Sequence, residues 1–175
     1  TVASSVAVAS VIFFVLINPQ VGYFSDVSFI SLQDPASALR GVALSSVWQN
    51  LGLTFIIVLA ALQTVPEELI EAAHLDGFGA IRRFFRITIP LISPALMFLS
   101  VVLVIQAFQA YAQIELITNG GPLRSTETLL YKITKLQKSA DLQIGASMSL
   151  GLFAITFLIS LTQFWLLEKR VHYGD

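Results

Sequence analysis

The chain has 175 residues, of which 55% are hydrophobic and only 12% charged, and its mean hydropathy is +0.79. Soluble domains carry about 25% charged residues, so this composition predicts a chain that is surrounded by lipid rather than by water. The net charge of -1 excludes an electrostatic nucleic-acid binder. The absence of cysteine excludes disulfides, thiolate metal sites and cysteine nucleophiles.

Four long apolar stretches without charged residues predict an all-α integral membrane protein, because lipid requires each segment to satisfy its own backbone hydrogen bonds. A helix of about 20 residues, at about 1.5 Å per residue, matches a hydrocarbon core of about 30 Å. The predicted spans are residues 2–17, 42–62, 87–114 with Pro90 and Pro94 at the start, and 145–167. Because the first stretch opens at Thr1, we expect further spans before it.

Charge alone leaves the orientation in the membrane open. Four spans place the chain start, residues 63–88 and the C-terminus on one face, and residues 18–40 and 111–143 on the other. The first face carries Arg82, Arg83, Arg86, Lys169 and Arg170, and the second carries Arg40, Arg124, Lys132, Lys135 and Lys138. The positive-inside rule therefore does not choose between the two faces.

The two loops on the second face differ in their predicted structure. Residues 18–40 alternate Phe and Ser among turn residues, so little regular structure is expected. Residues 119–122, Asn-Gly-Gly-Pro, are a strong turn signal. After them, residues 125–138 predict a short helix outside the bilayer, with one apolar side formed by Leu129, Leu130, Ile133 and Leu136.

The charged loop between the second and third spans predicts two short helices. Thr64 and Glu67 have the spacing of a capping box, in which each side chain bonds the backbone amide of the other residue. The first helix is expected to end near Asp76, because Gly77 and Gly79 follow it.

The second helix is expected to begin near Ala80 and to have two different sides. One side would carry Ile81, Phe84 and Phe85, and the other would carry Arg82, Arg83 and Arg86. This periodicity favours a helix on the lipid surface and a helix that docks on a protein equally.

The spacing of residues 71–94 resembles the EAA signature of binding-protein-dependent ABC importer permeases. The matching string is Glu71-Ala72-Ala73, Asp76-Gly77 two residues later, and, after a further nine residues, Ile87, Ile89-Pro90 and Pro94. Phe78 and Ile89 depart from the Ala and Leu that are common in the family, which affects packing more than chemistry.

The resemblance implies that this segment is a cytoplasmic coupling helix that sits in a cleft of a separate ATPase, with Glu71 paired to a basic residue there. The implied coupling residues are Glu71, Ala72, Ala73, Asp76, Gly77, Ala80, Ile81, Arg82, Arg83, Phe84, Phe85 and Arg86. The corresponding regions would be a cytoplasmic loop at 64–90 and an extracytoplasmic loop at 111–143 within one permease domain.

A second resemblance narrows the subclass. Residues 118–122 and 126–129 are similar to carbohydrate-uptake permeases of the maltose and glycerol-3-phosphate type. The loop 66–94, the string Tyr131-Lys132-Ile133 and the tail 168–173 are similar to the A-type subunit of glycerol-3-phosphate importers. This implies inward transport of glycerol 3-phosphate, a glycerophosphodiester or a sugar by alternating access.

Uncharged polar side chains within the predicted spans are costly unless they face a cavity or another helix. Hydrogen bonding between helices would account for each of them. The resemblance to the maltose importer implies instead that the cargo cavity is lined by Gln49, Asn50, Leu53, Gln106 and Gln109. Because these spans contain no Lys or Arg, an anionic group would be bound by the partner permease or the receptor, or only weakly here.

The resemblance also implies a multi-pass protein of the bacterial plasma membrane with roughly six spans, four of them in this chain. Its partners would be a second permease subunit, a cytoplasmic ATPase dimer, an extracytoplasmic substrate-binding protein and the lipid bilayer. The chain lacks a phosphate-binding loop, so ATP and Mg would bind on the ATPase, with no enzyme activity, cofactor or metal here. The alternatives are a secondary transporter and a membrane-integral enzyme, which need charged or catalytic groups within the spans.

Overall fold

The computed structural model describes residues 5–138 and 142–168, and the regular structure within them is helical. The α-helices, numbered α1 to α9 in chain order, are Val6–Ile17, Pro35–Gln63, Glu67–Leu75, Ala80–Arg83, Ile89–Leu91, Ser93–Phe108, Ala112–Ile117, Leu129–Lys138 and Leu142–Glu168. A 3₁₀ turn covers Ser28–Ile30, and a π-helical turn covers Phe84–Thr88 between α4 and α5. The predicted all-α class is confirmed.

Two helices of the described chain, α2 and α9, are long and apolar enough to cross a membrane. The segments Ala80–Leu91 and Ser93–Phe108 meet the same criterion together, but they are bent by 69° at the break between them. Helix α1 is apolar but has only 12 residues. Residues 2–4 of the first predicted span and the basic tail 169–173, including His172, lie outside the described residues.

Three of the predicted boundaries are wrong, and side-chain caps account for two of them. Helix α2 begins at Pro35 rather than near residue 42, because the Asp34 carboxylate accepts the Ser37 amide at 3.0 Å and starts the helix earlier. The third span ends at Phe108 rather than near residue 114, and α7 follows as a separate helix. Helix α8 begins at Leu129 rather than at residue 125, because the Thr128 hydroxyl accepts the Tyr131 amide at 3.2 Å.

One compact unit consists of Thr1–Gly52 and Ile105–Phe157. Helix α1 packs along α7 in this unit. Its buried core comprises Ile17, Ile30, Val42, Ile114, Ile117 and Tyr131. This core joins the 3₁₀ turn, α7 and α8 to the adjacent ends of α1 and α2. The segments 18–40 and 111–143, which were predicted as loops, therefore contribute to a buried core.

A second unit consists of Leu53–Val104 and Leu158–Asp175. It holds α3, α4, the π-helical turn, α5 and the first part of α6. Its buried residues include Ala73, Ile92 and Leu99, whereas many of its larger apolar side chains are exposed in the isolated chain. Exposed apolar surface of this extent is typical of a protein that contacts lipid or other subunits.

Candidate functional site

Helix α3 begins differently from the prediction. Glu67 and Glu68 lie in its first turn, where the positive end of the helix dipole favours them. The predicted capping box is wrong, because the N-cap is Pro66 and no side chain caps the helix. The Thr64 hydroxyl instead donates to the Ala61 carbonyl at 2.7 Å, which uses it at the end of α2.

Helix α3 ends close to Asp76, as predicted, and its end is a Schellman motif around Gly77. Gly77 has a φ of +76°, a left-handed conformation that glycine adopts at little cost. Its amide donates to the His74 carbonyl at 3.0 Å, and the Phe78 amide donates to the Ala73 carbonyl at 2.9 Å. A Cβ at Gly77 would meet no atom within 4 Å, so backbone conformation alone selects glycine there.

Most of the predicted coupling residues are exposed on this segment. Glu71, Ala72, Asp76, Gly77, Ala80, Ile81, Arg82, Phe84, Phe85 and Arg86 are exposed, and Arg83 is half-buried. Ala73 is the exception, because it is only 4% exposed and supports the helix from inside. No ion pair within 4.0 Å involves Glu71 in the described part of the chain, so its carboxylate is available to another molecule.

The second short helix begins at Ala80, as predicted, with an extended Gly79 before it. The Arg82 guanidinium lies 4.3 Å from the centroid of the Phe78 ring, which holds the arginine against the turn. The Phe84 and Phe85 rings contact edge to face, with centroids 5.2 Å apart. Apolar and basic side chains therefore occur next to each other on this surface.

An open groove of about 600 Å³ follows the same surface and is lined by residues from both predicted sides. The groove is lined by Gly79, Ala80, Ile81, Arg82, Phe85 and Arg86. Ile81 is 78% exposed and Phe85 is 65% exposed, so the described residues leave most of these side chains uncovered. We call the surface formed by Glu71 and these groove residues the coupling surface.

The polar residues predicted to line a cargo cavity lie on two helices. Gln49 and Asn50 are half-buried on α2, Gln106 is half-buried on α6, and Gln109 is exposed just after α6. The Asn50 amide donates back to the Ser46 carbonyl at 2.9 Å, within its own helix. Leu53 is 40% exposed and belongs to the other compact unit. The cargo role of these five residues stays a prediction.

We call the segment from Tyr111 to Lys138 the outer segment. It is more ordered than the turn signal at residues 119–122 indicated. Asn119 and Gly120 both have left-handed backbone conformations. Tyr131 is fully buried, and its hydroxyl donates to the Asn119 side-chain oxygen at 2.8 Å. Thr126 is also buried, and its hydroxyl lies 2.7 Å from that of Thr118.

Sequence reasoning placed Leu129, Leu130, Ile133 and Leu136 on the apolar side of α8. The structure buries Ile133 but leaves Leu129 exposed, and it centres the packing on Tyr131. An aromatic residue between Leu130 and Ile133 on an amphipathic helix was the available signal. In the part of the chain that the structure describes, no group of His, Asp or Glu is arranged to hold a metal ion.

The family model of binding-protein-dependent transport system inner membrane components matches residues 2–172. The sn-glycerol-3-phosphate transport system permease protein UgpA of Yersinia enterocolitica is 37% identical over 175 residues, covering 95% of this chain and 59% of the relative. The protein of the same name from Pectobacterium atrosepticum is 38% identical over 178 residues, with the same coverage. The chain thus spans about three fifths of these relatives.

A solved structure has the same fold. It is a bacterial ABC transporter involved in the import of the acidic polysaccharide alginate, with a TM-score of 0.80 over 95% of this chain and 62% of that chain. At 20% identity the likeness shows the fold alone. By the family model and the glycerol-3-phosphate permease relatives, the chain belongs to the binding-protein-dependent transport system inner membrane component family, as the EAA signature predicted.

Proposed function

We propose that this chain is a transmembrane subunit of an ATP-driven, binding-protein-dependent importer that moves sn-glycerol 3-phosphate into the bacterial cytoplasm. The cargo is inferred from relatives named glycerol-3-phosphate permeases. The observation that carries the importer role is the coupling surface, with an exposed Glu71 and an open groove next to the Gly77 turn. Family membership favours this role over a secondary transporter or a membrane-integral enzyme.

The proposed occupant of the groove is a cytoplasmic ATPase subunit. Exposed Ile81 and Phe85 would be unfavourable in water, so burial against a protein cleft would stabilise the complex. Arg82 and Arg86 beside them would pair with acidic groups, and Glu71 would pair with a basic one. ATP and Mg would bind on that ATPase dimer, and a second permease and an extracytoplasmic receptor would complete the importer.

The proposed mechanism transmits motion from the groove to the membrane. Helix α4, the π-helical turn and α5 follow one another without a gap between Ala80 and Leu91. The Ile92 amide donates to the Thr88 carbonyl, and the Leu96 amide donates to the Ile92 carbonyl, each at 3.1 Å. Closure of the ATPase would move α4, and these bonds would carry the movement through the bend into α6 by rigid-body coupling.

The cargo path would use the amides of Gln49, Asn50, Gln106 and Gln109, together with Leu53. Amides donate and accept hydrogen bonds without carrying charge, which suits the hydroxyl groups of glycerol or a sugar. Uptake assays with radiolabelled glycerol 3-phosphate, glycerophosphodiesters and maltose decide among the three cargo classes. Saturable, ATP-dependent uptake of glycerol 3-phosphate is expected, and uptake of the sugar alone would contradict the proposed cargo.

The coupling role is tested in proteoliposomes that contain the full-length protein, its partner permease and the ATPase, supplied with loaded receptor. Glu71→Lys reverses the charge that faces the ATPase, so ATP-driven uptake should be lost at normal membrane abundance. Gly77→Pro should have the same effect, because proline cannot adopt a φ of +76° and lacks the amide that bonds His74.

The matched control is Glu68→Lys, which makes the same charge change on an exposed residue of the same helix. It should retain most of the uptake. Normal uptake by both Glu71→Lys and Gly77→Pro, at normal abundance, would rule out the coupling role.

A further inference from the structure

Two lysines of the outer segment are held against tyrosine rings. The Lys135 ammonium lies 4.5 Å from the centroid of the Tyr131 ring. The Lys138 ammonium donates to the Tyr111 hydroxyl at 3.3 Å. The two tyrosine rings are neighbours, with centroids 5.8 Å apart. The two ammonium groups are therefore anchored over one aromatic platform, although the lysine side chains are exposed.

Both ammonium groups are positively charged at neutral pH. The contact with the Tyr131 side chain raises the pKa of Lys135, and the hydrogen bond to Tyr111 raises the pKa of Lys138. Burial raises the pKa of Tyr131, which keeps its hydroxyl neutral. Glu127 and Glu115 favour the charged form of Lys135, and Glu115 favours that of Lys138, but no ion pair within 4.0 Å joins either glutamate to these lysines in the described chain. Neither ammonium group is therefore neutralised by a close ion pair within the described residues.

The platform is attached to the end of α6 where two of the proposed cargo amides lie. Tyr111 follows Gln109 by two residues. The Thr128 hydroxyl, at the start of α8, donates to the Ala110 carbonyl at 3.0 Å. These residues belong to the same compact unit, so the hydrogen bond ties the helix that carries both lysines to the polar end of α6.

We propose that Lys135 and Lys138, anchored on Tyr131 and Tyr111, form a binding site for the phosphate group of an anionic cargo on the outer side of the permease. The inference rests on the proposed function. It gives the phosphate group of glycerol 3-phosphate a binding site, because the predicted spans contain no Lys or Arg that could bind it. Two ammonium groups offer charge-assisted hydrogen bonds to phosphate oxygens, and the tyrosines fix them at a lower entropic cost than free lysines. The cargo would meet this site before its hydroxyls reach the amides.

The first test measures transport by the reconstituted importer. Replacing both lysines by glutamine should raise the KM for glycerol 3-phosphate about tenfold or more, at an unchanged maximal rate, because charge-assisted hydrogen bonds are lost. Replacing both by arginine keeps the charges and should restore a KM near that of the wild type. Lys132→Gln is the matched control, because Lys132 is exposed on the same helix and contacts no tyrosine among the residues that the structure describes. An unchanged KM in the double glutamine variant would overturn the site and leave the proposed function standing.

The second test does not depend on transport. An amine-reactive reagent is applied to the purified complex in nanodiscs of phosphatidylcholine, and labelling at each lysine is measured by mass spectrometry. Added glycerol 3-phosphate or inorganic phosphate should protect Lys135 and Lys138 but leave Lys132 labelled. Without such protection the inference fails, even if glycerol 3-phosphate is transported. If the wild-type complex transports no glycerol 3-phosphate, the proposed cargo fails, and protection by phosphate still decides the site.

Nanodiscs of phosphatidylglycerol distinguish cargo phosphate from a lipid headgroup. The expected result is that soluble phosphate protects both lysines in either lipid. Protection in phosphatidylglycerol alone, without any effect of soluble phosphate, would assign the lysines to the membrane surface and overturn the cargo site.

Discussion

Gly77 and Gly120 both adopt left-handed backbone conformations, with φ values of +76° and +83°, but their surroundings differ. Around Gly77 a Cβ would meet no atom within 4 Å. At Gly120 a Cβ would lie 2.8 Å from the Tyr131 ring and 3.0 Å from the Glu127 side chain. Backbone conformation alone therefore requires glycine at the first position, whereas conformation and packing both require it at the second.

Gly77→Ala should weaken coupling without unfolding the protein. The strain of alanine in a left-handed conformation costs about 1 kcal/mol, which would shift the turn between α3 and α4. The expected result is fewer molecules of cargo transported per ATP hydrolysed, measured in proteoliposomes. Gly79→Ala is the control, because Gly79 has a φ of -62° and open space around it. Equal transport ratios for the two variants would contradict this role of Gly77.

Gly120→Ala should destabilise the outer segment by about 1–3 kcal/mol, because the methyl group overlaps the buried Tyr131 ring. The measurement is a thermal unfolding curve of the purified protein in detergent. Gly151→Ala on α9 serves as the control, since its Cβ would meet nothing within 4 Å, and its unfolding temperature should stay near that of the wild type. A variant at 120 as stable as the control would show that the outer segment is not packed in this way.

At the scale of elements, the length of each apolar run predicted the long helices, whereas local contacts determine the residues at which these helices begin and end. Residues 42–62 and 145–167 lie inside α2 and α9, because a continuous apolar run is sufficient to predict a helix in lipid. The capping box at Thr64 was wrong, because the hydroxyl bonds backwards to the Ala61 carbonyl. The π-helical turn at 84–88 also had no sequence signal that distinguishes it from an α-helix.

Two threonines test which hydroxyl caps a helix. Thr128 accepts the Tyr131 amide and donates to the Ala110 carbonyl, so Thr128→Ala should cost about 1–2 kcal/mol in the free energy of unfolding. Thr64→Ala removes only a bond at the exposed end of α2 and should cost less than about 0.5 kcal/mol. Chemical denaturation of the two variants compares these costs. If Thr64→Ala were the more damaging substitution, the assignment of the caps would be wrong.

At the scale of the whole molecule, the amino-acid composition indicated that lipid surrounds the protein, but it did not indicate the orientation of the protein in the membrane. The low charge content and four apolar runs indicated a membrane protein, and the family model for inner membrane components agrees. The basic residues were divided equally between the two faces, so only the resemblance of residues 71–94 to the EAA signature predicted that residues 64–90 are cytoplasmic. That orientation remains a prediction.

The absence of cysteine makes the orientation directly measurable. Single cysteines at Glu71 and Arg124, both exposed positions, lie on opposite sides of α6 in the chain. A membrane-impermeant maleimide should label Arg124→Cys in intact spheroplasts, and it should label Glu71→Cys only after the membrane is opened. Labelling of Glu71→Cys in sealed spheroplasts, with Arg124→Cys protected, would reverse the proposed topology.

The sequence by itself determined the membrane environment, the helical class, the family and the position of the EAA signature. These properties depend on composition and on residues close together along the chain, such as the run from Glu71 to Pro94. Only the tertiary structure decided that Tyr131 is the centre of the outer segment and that it holds Lys135 beside Tyr111 and Lys138. The contact between Tyr131 and Tyr111 joins residues 20 positions apart, and such packing follows from folding around a shared core rather than from any local pattern.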